Sequence, residues 1–370
     1  MKSILPPATI GILGSGQLGR MFTSKAKELG YTVYSYSPEK NSPAHKAGAI
    51  GFVGEYEDEV LLNSFLREVD ALTFEFENIP IKALLQIELL ENRKTISPSP
   101  KSIAISQNRL IEKNFFQKVG LPTVKFLKIT AKNDIQKIKH EVGFPCILKT
   151  IRFGYDGKGQ KKVKNEKDAL EFFHNKKEDL IAEEYFPFDK EISVVAARFS
   201  NGKIYTYEPS ENIHKNHILD LSINPALIQK DISMKAKILT KTLLKELNYV
   251  GVLALEFFLK GRNLVCNEFA PRPHNSGHFS MDASNLSQFD LQLRSLCNLY
   301  LDEDLKSKPC VMKNIMGENY TKELKKIPRL LKSTDFHLHL YQKEEPRLGR
   351  KMGHWNYTGK FSKNVTQIFK

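Results

Sequence analysis

Two acidic residues, Glu256 and Glu268, interrupt otherwise apolar strand-like runs, Leu253-Ala254-Leu255-Glu256-Phe257-Phe258 and Val265-Cys266-Asn267-Glu268-Phe269. Carboxylates in such runs are costly to bury without a counter-charge. A hard cation, Mg2+ or Mn2+, held by one or two carboxylates and by substrate phosphates, removes that cost. The two runs read as a hairpin around Lys260-Gly261-Arg262-Asn263. A four-residue loop sets Glu256 opposite Asn267, and a five-residue loop sets it opposite Glu268; either register keeps the three oxygens within reach of one ion. Surface-facing carboxylates are the plainer alternative.

The hairpin runs straight into Ala270-Pro271-Arg272-Pro273-His274-Asn275-Ser276-Gly277-His278, a proline-set loop bearing a guanidinium, two imidazoles and an amide. Arginine forks onto carboxylate or phosphate oxygens, and His274 could donate to, or exchange protons with, a small acid. That density of polar groups marks an active-site loop. Upstream, Lys149 closes the strand-like Cys146-Ile147-Leu148-Lys149. It precedes Arg152-Phe153-Gly154-Tyr155-Asp156-Gly157-Lys158-Gly159-Gln160, with three glycines in six residues. Such a segment can fold as a flap of backbone N–H groups over polyphosphate, although a solvated hairpin tip has the same composition. It lacks the G-K-[ST] ending of a Walker loop.

Two further segments suit anions. Gly14-Ser15-Gly16-Gln17-Leu18-Gly19 follows a strand and opens a helix, where backbone N–H groups can approach a phosphate. Glu39 stands near the distance of a dinucleotide's acidic partner but beyond Pro38, so an anion other than a nicotinamide or flavin is favoured. A tight strand–helix turn is the plain alternative. In the tail, Lys343, Arg347, Arg350 and Lys351 place four cations in nine residues, suited to a phosphate clamp or, more simply, to a charged surface loop.

Positioning these groups requires several layers. Residues 9–37 read as strand, turn, helix, strand, and Ala71–Glu77 as a further strand ended by Asn78-Ile79-Pro80, which predicts an α/β unit with a parallel sheet. Ser97-Pro98-Ser99-Pro100 marks a boundary. A helix is expected from about Ser102 to Val119, strands over 180–208, and a helix over 231–248 with Ile232, Ala236, Leu239, Leu243 and Leu247 on its apolar stripe. Phe336 to Tyr341 reads as a strand. The expected units are 1–100, 101–300 (with a lid at about 122–187) and 301–370.

The chain has 370 residues, 41% apolar and 26% charged, which excludes wholesale disorder and allows two or three domains. Its net charge of +14 favours anionic partners: nucleic acid, an acidic membrane or phosphorylated small molecules. No window reaches the roughly 20 apolar residues of a spanning helix, and Pro6-Pro7 breaks any signal-peptide core. The four cysteines, Cys146, Cys266, Cys297 and Cys310, have no metal-type pairing and read as buried thiols of a reducing compartment, the cytoplasm.

Together these stretches resemble the ATP-grasp superfamily and, within it, the N5-carboxyaminoimidazole ribonucleotide synthetases, from Ile10-Gly11-Ile12-Leu13-Gly14 to Gly353-His354-Trp355-Asn356. The most specific pieces are Phe153–Gln160 and Asn267–His278, supported by Gly349-Arg350-Lys351-Met352-Gly353-His354. The resemblance implies an ATP-grasp fold with a Rossmann-like domain ahead of it and a small C-terminal module. It implies an ATP-dependent carboxylase of purine biosynthesis, acting on aminoimidazole ribonucleotide and bicarbonate with Mg2+ and commonly dimeric. Gln17 and Glu75 then lie near the ribonucleotide. Arg109 and Lys149 approach phosphates, Gly154 to Gln160 (Gly154, Tyr155, Asp156, Gly157, Lys158, Gly159, Gln160) form the lid, and Glu183, Glu184, Tyr185 and Phe186 line the adenine. Glu191 takes the ribose hydroxyls, His214 the nucleotide edge, Asn267 the nucleotide beside Glu268, and Glu256 and Glu268 the metal. Arg272, His274 and Asn275 hold bicarbonate, Tyr155 and Asp156 close the lid or move protons, and Lys343 and Arg350 bind the substrate phosphate. Arg152-Phe153 ahead of Gly154 departs from relatives that carry a further glycine there.

The nearest rival is a sister ATP-grasp enzyme, a glycinamide ribonucleotide formyltransferase or a biotin carboxylase; the Arg272–His278 loop and the short tail favour the carboxyaminoimidazole reading. A basic nucleic-acid-binding protein is disfavoured because its lysines are dispersed and no stacking aromatics accompany them. A catalytically dead nucleotide sensor is disfavoured because no expected ligand is missing.

Overall fold

The computed structural model describes every residue except Met1, Glu91, Asn92, Phe153, 155–158, Lys177, 362–364 and Lys370. The apolar runs of the opening segment form β1 (Thr9–Leu13), β2 (Thr32–Ser37), β3 (Ile50–Val53), β4 (Ala71–Phe74) and β5 (Thr95–Ile96). They make a parallel sheet in the order β3-β2-β1-β4-β5, as the strand–helix alternation predicts. The expected strand over Ala71–Glu77 stops at Phe74, because Glu75 leaves the sheet to bond the glycine loop after β1. The single helix expected over 102–119 is two, Pro100–Ser106 and Arg109–Lys118. Asn108 starts the second by accepting a hydrogen bond from the Ile111 N–H.

A second, antiparallel sheet holds β6 (Phe126–Ile129), β7 (Cys146–Thr150), β8 (Gln160–Val163) and β9 (Leu180–Glu184) in the order β6-β9-β7-β8. Helices Lys132–Glu141 and Glu166–His174 bury Ile135, Ile138 and Ala169 against Leu148 and Val163.

The third sheet comprises β10 (Lys190–Arg198), β11 (Ile204–Thr206), β12 (Ser210–Lys215), β13 (Ile218–Asn224), β14 (Gly251–Lys260), β15 (Asn263–Ala270), β16 (Cys310–Met316), β17 (Phe336–Leu340) and β18 (Lys351–Tyr357). Its order is β15-β14-β10-β12-β13-β16-β18-β17, with β11 on β10. The tail strands therefore continue the central sheet through β16 on β13. Helix Lys230–Glu246 lays Ile232, Ala236 and Leu243 on this sheet, the expected stripe, with Leu239 and Leu247 at its margin. All four cysteines are free and buried.

The β14–β15 hairpin takes both registers considered from its sequence. Near the turn, Lys260 pairs with Asn263 and Phe257 with Cys266; beyond it, Leu255 pairs with Phe269 and Ala254 with Ala270. The shift leaves Asn267 and Glu268 together opposite Glu256, a β-bulge that re-aims side chains at the end of an edge strand. Helix Arg109–Lys118 satisfies the backbone the bulge disrupts: Lys113 Nζ donates to the Asn267 carbonyl at 2.7 Å, and Glu112 Oε1 accepts the Phe269 N–H at 2.8 Å.

Candidate active site

A cavity of about 1070 Å3 opens where the three sheets meet. Its floor is one face of the central sheet: Glu256 and Phe258 of β14, Glu191 of β10, Asn212 and His214 of β12, and the bulge residues Asn267 and Glu268. Lys149, Gly154 and Gln160 border it on the lid side, Arg109 and Glu112 on the helix side, and Gln17, Glu75 and Glu77 on the side of the parallel sheet. Arg272, His274 and Asn275 reach it from the reaction loop, the proline-set segment 271–278 that follows β15.

At the lid end, Lys149 Nζ donates to Glu183 Oε2 at 2.7 Å. Burial pushes the Glu183 carboxyl up, but Lys113, Lys149 and Arg109 outweigh it and hold it down at about 2. Its other oxygen, Oε1, is buried with no hydrogen-bond partner among the described residues, an acceptor suited to an exocyclic amine. Arg109 donates to the carbonyls of Thr150 (2.8 Å) and Gly154 (2.5 Å), just where β7 ends. Tyr155, Asp156, Gly157 and Lys158 lie outside the described residues. Glu183, Glu184, Tyr185 and Phe186 are not in the cavity lining, Glu183 being buried beside it; Lys162 Nζ sits 3.3 Å from the centre of the Tyr185 ring. Phe188 and Phe258 stack at 4.5 Å and form an apolar wall that no sequence signal marked.

Both carboxylates of the hairpin face the cavity. Glu268 opens onto cavity water, and Glu256 is about one-fifth exposed. Burial and the neighbouring Glu256 push the Glu268 carboxyl up. Burial also opposes the Glu256 charge, but the hydrogen bond and charge of His274, with His214 and Arg272, hold that carboxyl down. Among the described residues no three His, Cys, Asp or Glu side chains enclose a metal. Two like charges at one bulge nevertheless fit a hard cation that takes its remaining oxygens from phosphate and water. Glu191 and His214 bond each other directly. Burial lowers the His214 proton affinity, but the Glu191 hydrogen bond and charge, with Glu256, raise it overall.

In the reaction loop, His274 Nε2 lies 3.0 Å from Glu256 Oε1. Arg272 is less free than its sequence suggests, since Nε and Nη2 both bond Glu77. Asn275 lines the cavity with both amide atoms buried and unpartnered among the described residues, which fits a small acid that both donates and accepts. His278 does not line the cavity: it is buried behind the loop, packs against the tilted ring of His354 at 4.8 Å between centres and bonds Gln288.

The first glycine loop also differs from expectation. Its amides hold a side chain: Gly16 N donates to Glu75 Oε1 at 2.6 Å and Gly19 N to Oε2 at 2.5 Å. A Cβ at Gly14, Gly16 or Gly19 would collide with that carboxylate, so the glycines serve a close approach by Glu75. Gln17 lines the cavity beside it. Lys343 and Arg350 stand outside the cavity lining, whereas Lys351 is part of it; the charges of Lys343 and Glu75 act on each other.

A four-stranded antiparallel sheet beside a larger one, with Lys149 at the end of a strand of the first and two carboxylates on a hairpin of the second around one cavity, defines an ATP-grasp ligase. Residues 114–289 match the ATP-grasp domain family, 7–107 the ribonucleotide synthetase preATP-grasp domain, and 310–368 the phosphoribosylaminoimidazole carboxylase C-terminal domain. The chain is 39% identical over 356 residues to the N5-carboxyaminoimidazole ribonucleotide synthase of Bacillus subtilis, covering 95% of this chain and 91% of that protein. It is 37% identical to the Brucella melitensis synthase, covering 95% and 96%. Among solved structures, an N5-carboxyaminoimidazole synthetase from Staphylococcus aureus complexed with ADP superposes with a TM-score of 0.92 at 34% identity, over 100% of this chain and 99% of that one. A synthase from Aspergillus clavatus in complex with ADP and 5-aminoimidazole ribonucleotide gives 0.86 at 26% identity, over 95% and 94%. The chain belongs to the N5-carboxyaminoimidazole ribonucleotide synthase family, the ATP-dependent ligases that carboxylate aminoimidazole ribonucleotide in purine biosynthesis. No helix among the described residues is long and apolar enough to cross a membrane.

Proposed function

We propose that this chain activates bicarbonate with ATP to carboxyphosphate and passes the carboxyl group to the 5-amino group of aminoimidazole ribonucleotide, releasing ADP and phosphate. The reading is carried by the continuity of one cavity. Lys149, Glu256 and Glu268 share it with the reaction loop and with Gln17 and Glu75. In-line phosphoryl transfer and the attack that follows need their partners in one enclosure, because carboxyphosphate hydrolyses in open water.

Lys149 and Arg109 balance polyphosphate charge, Glu183 Oε1 accepts from the adenine amine, and Glu191 with His214 orients the ribose. Asn275 and His274 present bicarbonate, with Arg272 behind them. The lid, with Tyr155 and Asp156, excludes water. Glu256 and Glu268, beside Asn267, would hold Mg2+, which when bound neutralises charge on the transferred phosphoryl group. Gln17 and Glu75 contact the ribonucleotide, and Lys343 and Arg350 take its phosphate. Residues 1–100, 101–300 and 301–370 act as substrate, nucleotide and phosphate-binding units of a cytoplasmic homodimer, whose mass sedimentation would report.

The test is ATP turnover by the purified protein with and without aminoimidazole ribonucleotide and bicarbonate. Phosphate release that depends on both supports the assignment; release indifferent to the ribonucleotide refutes it.

A further inference from the structure

Behind the reaction loop, a buried row of hydroxyl and amide groups crosses the central sheet, and the chemistry above makes no use of it. Ser193 of β10 lies opposite Glu256 of β14, Asn212 of β12 opposite Glu191, and Ser222 of β13 opposite Asn212. Cross-strand neighbours share a face, so these side chains line up across four strands. The short turn Asn275–Gly277 sets Ser276 onto the row. Ser193, Asn212, Ser222 and Ser276 are all buried.

The hydrogen bonds have a direction. Ser222 Oγ donates to Asn212 Oδ1 at 3.0 Å, which turns the amide nitrogen toward Ser193 Oγ at 2.9 Å. An amide nitrogen only donates. The backbone N–H of Ser276 points at His274 Nδ1, at 3.4 Å, and makes it an acceptor. The Ser276 hydroxyl therefore donates to Nδ1 at 2.9 Å and, its hydrogen spent, accepts from Ser193 Oγ at 2.7 Å. Two donors converge on Nδ1, so it presents a lone pair and the ring hydrogen resides on Nε2, 3.0 Å from Glu256 Oε1.

We infer that Ser276, backed by Ser193, Asn212 and Ser222, is a positioning residue that fixes His274 as the Nε2–H tautomer. His274 then turns its Nε2–H to the cavity side, where it orients Glu256 and meets bicarbonate when that binds, and its Nδ1 edge is closed to proton exchange. Partners behind a cation-binding carboxylate commonly set its orientation in this way. The inference rests on the proposed roles of Glu256 and His274.

The tautomer is read from long-range 1H–15N correlation spectra of the full-length, ligand-free protein labelled at histidine nitrogen, with the His274 signals identified by their loss in His274→Gln. The wild type should show Nε2–H. Asn212→Asp replaces a donor by an acceptor of nearly the same shape, which reverses the row and puts a hydrogen on Nδ1 in addition to the Nε2–H that Glu256 holds. Ser276→Ala, which decides alone if the first variant does not fold, should give mixed tautomers and a kcat about tenfold lower, with the KM for ATP changed less than twofold. An Nδ1–H wild type, a His274 spectrum unaltered by Ser276→Ala, or a shifted tautomer with unchanged kcat overturns the inference. Failure of the underlying assignment would appear separately, as wild-type ATP turnover that ignores aminoimidazole ribonucleotide whatever the tautomer.

Discussion

Arg272 and Glu77 are joined by two hydrogen bonds, Nε to Oε2 at 2.5 Å and Nη2 to Oε1 at 3.0 Å. The pair ties the reaction loop, which follows β15, to the segment that follows β4 of the parallel sheet. Its third nitrogen, Nη1, donates to the Pro273 carbonyl at 3.2 Å. Burial would push the Glu77 carboxyl up, but the Arg272 charge and hydrogen bond hold it down. The guanidinium is thus held as a fixed charge beside the cavity by the domain that carries Gln17 and Glu75.

Glu77→Gln keeps the shape and removes the charge. Leaving a partly buried guanidinium without its counter-ion costs about 2–3 kcal/mol, below the value for a fully buried pair. The expected outcome is a lower melting temperature and a bicarbonate kcat/KM reduced by about tenfold or more. Steady-state kinetics with varied bicarbonate check it, and an unchanged bicarbonate kcat/KM would remove the positioning role of Glu77.

Glu75 occupies the glycine loop so closely that Gly16 has no room for a methyl group. Gly16→Ala should expel the carboxylate, raise the KM for aminoimidazole ribonucleotide by roughly tenfold and leave the KM for ATP nearly unchanged. Isothermal titration with each substrate separates the two effects. Equal loss of both affinities would mean that the loop supports the fold generally rather than one substrate.

The glycine loop shows where sequence and structure part. The spacing Gly14, Gly16, Gly19 announces a close backbone approach by an anion, but not that the anion is a side chain 59 residues beyond Gly16. The hairpin was more legible. Its two candidate registers both occur, one on each side of the bulge, because the strand that carries Glu268 has an extra residue there. Glu112 and Lys113 went unnoticed as charges on an amphipathic helix. Their signal was present: they lie three and four residues before buried Phe116, on its face, where a charged residue needs a partner. His278 misled for the opposite reason. Proximity in sequence to His274 cannot tell that the turn between them points the second imidazole into the core, against His354.

The repulsion between Glu256 and Glu268 makes a prediction with a definite sign. Glu268 binds its proton more tightly in the folded chain than in the unfolded one, so above the ordinary carboxyl range its charge opposes folding. Glu268→Gln should therefore melt higher than the wild type in metal-free buffer at neutral pH, by roughly 2 °C since the group meets cavity water. The same variant should lose turnover by about 100-fold or more, and Mg2+ should no longer raise its melting temperature. A variant that remains active and is still stabilised by Mg2+ would remove the carboxylate from the cation site.

Lys343 gives the last prediction. Burial, followed by the like charge of Arg350, pulls its ammonium down to about 8, against smaller support from Glu75. Below that value it is a cation near Arg350 and suited to a phosphate; as pH rises through it the charge is lost. The KM for aminoimidazole ribonucleotide should climb above about pH 8 while the KM for ATP, whose phosphates are proposed to face Arg109 and Lys149, stays level. The unfolded chain holds this proton up to the ordinary 10.5, so between the two values the unfolded state binds more protons and stability from this group grows with pH. Lys343→Met should abolish both trends and raise the ribonucleotide KM at neutral pH to a value that no longer varies with pH. A pH profile for the variant that retains the wild-type step would place the titrating group elsewhere.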